Sequence, residues 1–138
     1  MSLELKGQGG GLAFHDGRSD VFIHAMFGAG DEVAKDTRAA AQHFFDFAGG
    51  HFLAGWKLDK GEKGEADGML VGQLEAHDEN GLFMIAKVAA GVDRAGHVHG
   101  GGVQCVYPKK EAERVCRSIL ATFRLAAKDL ASLPPKKK

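Results

Sequence analysis

The segment from residue 103 to residue 133 constrains the fold most, because its hydrophobic period changes partway along. Val103, Cys105 and Tyr107 alternate with Gln104 and Val106, the period of two expected of a half-buried strand. Pro108 ends that pattern. Beyond it Val115, Ile119, Phe123, Ala126 or Ala127, and Leu130 recur every three or four residues, while Glu111, Glu113, Arg114, Arg117, Arg124 and Lys128 take the other sides. The spacing predicts a strand running into an amphipathic helix. Such a helix is marginal alone in water, so the strands before it must supply the apolar surface on which it lies.

Those strands are legible in outline. Leu3 and Leu5 suggest a short first strand, and after Gly7, Gly9, Gly10 and Gly11 the extended pattern resumes at residues 12–14. The glycine run has neither the Gly-Lys-Ser/Thr ending nor the following helix of a phosphate loop, so its role is conformational. His15-Asp16-Gly17-Arg18-Ser19-Asp20 is turn chemistry before a strand in which Val21, Ile23, Ala25 and Phe27 alternate with Phe22, His24 and Met26.

The period then lengthens to about 3.6 and predicts a helix over residues 31–48. Asp31 stands as its N-cap, Glu32 complements the dipole, Val33, Thr37, Ala40, Ala41, Phe44 and Phe45 form the buried stripe, and Gly49-Gly50 closes it. Phe44, Phe45 and Phe47 read as core. Phe52, Ala54, Trp56 and Leu58 suggest a strand, residues 60–67 a mobile loop, and residues 69–77 and 82–90 two strands joined through Asp78-Glu79-Asn80-Gly81. Both faces of this last pair are apolar, which suits central strands, or a sheet with helices on one face and a partner on the other. Val71, Met84 and Val88 are the candidate interaction residues.

The expected architecture is α+β: a single antiparallel sheet of about six strands, in the order ββαββββα, with both helices packed on one face. Residues 1–133 form one domain and residues 134–138 a disordered basic tail. Eighteen basic and eighteen acidic residues cancel, which disfavours nucleic acid and anionic membranes as partners. No run approaches the ~18 apolar residues of a membrane span, and no charged n-region leads into an apolar segment, so the chain reads as soluble, unprocessed and not membrane-inserted. A cytoplasmic home is the default.

The cysteines bear on that default. A helix folding back over its preceding strand can bring Cys105 and Cys116 within the ~5.5 Å Cα separation of a disulfide, and two buried thiols are the alternative. A bridge implies a periplasmic or secreted protein whose leader has been removed. His97 and His99, two apart, can present imidazoles on one side of a strand, and Cys105 shares their parity, so zinc or copper is the candidate metal. Three successive glycines between them argue against a straight strand. His24 and His77 lie in strands but no motif places a nucleophile or orienting carboxylate beside them, and no catalytic residue is assigned.

Gly96-His97-Val98, then Val103-Gln104-Cys105-Val106-Tyr107-Pro108, then Glu113-Arg114-Val115-Cys116-Arg117-Ser118-Ile119-Leu120-Ala121-Thr122-Phe123-Arg124 resembles the closing strand and helix of PsbP/Mog1-like α/β/α sandwich proteins. The resemblance covers roughly the final quarter of the chain and implies a non-catalytic adaptor, assembly factor or accessory domain. It carries over no binding residue. The leading expectation is therefore a small interaction domain that binds a protein partner or itself, as a homodimer, through its sheet. Metal binding, or a small-ligand carrier or enzyme with a cavity between helix and sheet behind Trp56 and Phe44, is the alternative.

Overall fold

The computed structural model describes residues 9–16, 21–30, 33–66, 68–108, 110–122 and 130–131. The expected strand at Leu3 and Leu5, the helical stripe residues Phe123, Ala126 and Ala127, and the tail at 134–138 lie outside them. The chain forms β1 (Gly9–Asp16), β2 (Val21–Ala29), α1 (Thr37–Leu53), β3 (Lys57–Ala66), β4 (Met69–His77), β5 (Phe83–Asp93), β6 (Val98–Tyr107), α2 (Glu113–Ala121) and the two-residue β7 (Leu130–Ala131). All strand pairs are antiparallel, in the order β1-β2-β6-β5-β4-β3, and β7 pairs with the end of β5.

The two helices lie on opposite faces of this sheet, not on one. Alternation along β5 sends Met84, Ala86, Val88, Ala90 and Val92 into the cluster under α1, with Phe45 and Phe52. Ile85 points the other way and joins Val103, Cys105 and Tyr107 against Cys116 and Leu120 of α2. Helical period reveals that each helix has a buried stripe; it carries no information on which side of the sheet receives it. Burying Phe45 and Phe52 supplies on the order of 1.5–3 kcal/mol each.

Helix α1 begins and ends later than its spacing predicts. Asp36 is the N-cap, its Oδ1 accepting from the Ala39 backbone N–H at 3.1 Å, and Asp31 and Glu32 lie outside the described residues. The helix also runs through Gly49-Gly50. The buried positions Ala41, Phe45, Ala48 and Phe52 repeat at helical spacing, and burial of Phe52 at 1% exposure outweighs the ~1 kcal/mol cost of each helical glycine. Phe52 is thus helical rather than the start of a strand, and residues 60–66 belong to β3 rather than to a loop. Every residue of β3 is exposed, so it lacks the apolar alternation that marks a half-buried strand.

Strand β6 is straight through Gly100, Gly101 and Gly102 for a steric reason. A Cβ at Gly102 would sit 2.5 Å from Phe52 Cε2 and 2.6 Å from the Lys87 carbonyl oxygen, and one at Gly100 would collide with the Phe44 ring. The glycines admit the aromatic rings of α1 directly onto the backbone. At the other end of the chain, Leu130 is extended and paired with Asp93, so the last helix does not continue to it.

Candidate functional site

Because α1 lies mainly over β5 and β6, the sheet extends past it on the β4–β3 side. The space left between helix and overhang is a groove of ≈ 540 Å³. Its apolar lining comes from Phe45 and Leu53 of α1, Leu58 of β3, Leu74 of β4 and Val88 of β5. Glycines make the room. Gly49 and Gly50 thin the helix wall, Gly61 and Gly72 thin the floor, and the Phe45 ring rests directly on Gly72. Asp46 and Lys63 stand at the polar mouth, and the Glu62 backbone borders it. The groove continues into a second recess of ≈ 490 Å³ past Arg38 and Gln42, where Arg38 of α1 is ion-paired with Glu65 of β3. Volumes of this size are typical of small-molecule pockets, and an apolar lining with a few charged groups at the rim suits an amphiphilic ligand.

A second cluster forms at the β5–β6 turn. Asp93 Oδ1 accepts from the backbone N–H groups of Ala95 at 2.9 Å and His97 at 3.0 Å, and Asp93 Oδ2 is 2.7 Å from His99 Nε2. His97 Nδ1 is 3.6 Å from the same oxygen. The His99 hydrogen bond, followed by the His97 backbone N–H, holds the Asp93 carboxyl at about 2. This arrangement braces the turn, in which Gly96 takes φ +94.

The metal set does not come together. His99 and Cys105 share a strand face, but six residues of strand separate them by about 20 Å. His97 lies in the turn rather than in β6. Cys105 is bonded to Cys116, with Cα atoms 5.5 Å apart, so its sulfur is no thiolate ligand. Among the described residues no three His, Cys, Asp or Glu side chains are grouped to hold an ion.

Two of the three interaction residues are taken off the surface. Met84 and Val88 are 1% and 2% exposed beneath α1, and alternation places half-buried Val71 on the opposite face. Of the strand histidines, His77 Nδ1 lies 2.8 Å from Asp59 Oδ1 at an exposed edge, and His24 packs near the His51 and Phe52 rings. Phe44 and Trp56 each pack, partly buried, against the core under α1, while the cavity is lined instead by Phe45 and Leu53. The signal for it was the glycine set at 49, 50, 61 and 72, scattered over three elements that had to be assembled before they could be read together.

No protein-family model and no curated protein sequence matches this chain. No helix among the described residues is long and apolar enough to cross a membrane.

Proposed function

We propose that the chain is a non-enzymatic binding domain that takes the apolar part of a small amphiphilic ligand into the groove between α1 and the β3–β4 overhang. The observation that carries this reading is the ≈ 540 Å³ space lined by Phe45, Leu53, Leu58 and Leu74, which core packing would otherwise have filled. Lys63 and Asp46 at its mouth suit a polar headgroup. An accessory role of this kind accords with the PsbP/Mog1-like resemblance, which implies a non-catalytic α/β/α sandwich. The buried Cys105–Cys116 bridge supports an oxidising compartment for its action.

Binding of the dye 8-anilinonaphthalene-1-sulfonate, and its displacement by medium-chain alkyl carboxylates, tests the groove. A Cβ at Gly61 meets only the ends of Leu74 and Leu58, at 3.6 Å and 3.9 Å, so Gly61→Leu plugs the space without striking backbone. Saturable binding at one site, lost in Gly61→Leu with the circular dichroism unchanged, is expected. Equal binding by the plugged and unplugged proteins refutes the reading.

A further inference from the structure

Strand β3 ends the sheet beyond β4, and all ten of its residues are exposed. Among the described residues no strand covers its outer edge. A long edge strand without proline is a template for another strand, and charge is the usual protection. Here Lys57, Asp59, Lys60, Glu62, Lys63 and Glu65 carry mixed signs rather than one. Mixed signs select among partners and registers instead of repelling all of them.

The selection can be worked out for a second copy. Two β3 strands pairing antiparallel about a two-fold axis perpendicular to the sheet place residues equidistant from the axis opposite each other, on the same face. An axis at Lys60, Glu62, Lys63 or Glu65 sets that charge against its own copy. Within the regular part of the strand, which starts after the irregularity between Leu58 and Lys60, only Gly61, Gly64 and Ala66 avoid this, and an axis at Ala66, the last residue of β3, leaves no further pair within the strand. The irregularity leaves a Gly61-centred pairing only residues 60–62. A Gly64-centred pairing uses residues 62–66, sets Lys63 opposite Glu65 twice, and puts no like charges directly opposite each other.

We propose that β3 is a self-recognition edge through which two copies of this chain join their sheets antiparallel, about a two-fold axis at Gly64. A Cβ at Gly64 would meet nothing within 4 Å, so the sheet face is open there and a side chain can be placed at the axis position without disturbing the single chain. Lys63 and Glu65 both lie on the α1 face, since Glu65 is ion-paired with Arg38 and Lys63 lines the groove. The pairing therefore sets the two grooves on one side of a continuous sheet and adds Lys63 of the second copy beside each Glu65. It stands independently of what the groove binds.

Analytical ultracentrifugation of the full chain over a concentration series tests the edge. A monomer–dimer equilibrium weakened by salt is expected, with Lys63→Glu and Glu65→Lys each raising the dimer dissociation constant about 10-fold or more. The double variant Lys63→Glu/Glu65→Lys restores opposite charges and regains the dimer. In a chain carrying only Gly64→Cys, paired strands bring the two new cysteines within the Cα separation of a disulfide, so oxidation yields a covalent dimer. Lys63→Cys, two positions from its own copy, does not cross-link. A wild-type chain that stays monomeric, a double variant that stays monomeric, or cross-linking through Gly61→Cys in place of Gly64→Cys overturns the proposal.

Discussion

Tyr107 shows how a single side chain reports on the packing around it. It is the chain's one tyrosine, its ring stacks on Phe83 with centroids 5.5 Å apart, and its hydroxyl lies 3.4 Å from Glu113 Oε1. Burial first, and then the Glu113 charge, push the phenol up to about 12. Because the folded value exceeds the ordinary 10.0, the associated stability is fully present below pH 10 and is lost as pH rises through about 12. An absorbance titration of the native protein should show no phenolate until above about pH 11, and Glu113→Gln should lower the midpoint while leaving it above the free phenol. A native midpoint at the free value would contradict the packing described. At this scale the sequence marked His97 and His99 as neighbours but not Asp93 as their partner. Only the turn, closed by backbone hydrogen bonds between Asp93, Gly96 and His97, brings that carboxylate to them.

The elements are decided by what they pack against as much as by their own pattern. Met69–His77 is a strand by its apolar run and following turn and by structure alike, and the β5 strand differs from its expected span only at the ends. Where the pattern misleads, the competing force is nameable. Gly49-Gly50 has the composition of a helix stop, yet the helix continues because Phe52 lies one further turn along the buried stripe. The glycines of β6 weaken strand propensity, yet they are what allows Phe52 to reach the sheet. Two substitutions separate these roles. Gly102→Ala forces Cβ against the Lys87 carbonyl and should cost about 1–3 kcal/mol, whereas Gly50→Ala, with nothing within 4 Å, should gain about 0.5–1 kcal/mol in urea denaturation. Equal effects at the two positions would mean that the close approach of α1 to β6 is wrong.

For the whole molecule, a central sheet is covered unequally by two helices. The nine-residue α2 is held to its face by the Cys105–Cys116 bond, by Leu120, and by Arg117, whose Nη2 donates to Glu75 at 2.7 Å and to Glu113 at 3.1 Å. Replacing both cysteines with alanine reopens a loop of 11 residues' separation and should lower unfolding stability by about 2–4 kcal/mol; no change would show that α2 does not depend on the bond. The expected order ββαββββα holds only in part, since the third strand lies at residues 57–66 and β7 follows α2, and the cysteines stood open between a bridge and two thiols; what the sequence by itself determined is the α+β class and the antiparallel hairpins. These follow from period, turn chemistry and chain connectivity, which are local. Tertiary structure alone decided that the helices take opposite faces, that Met84 and Val88 are core, that a charged, glycine-interrupted stretch is an edge strand, and that glycines from three elements open one groove. Each of those depends on which surfaces meet, and the free energy of that meeting belongs to residues far apart in the chain.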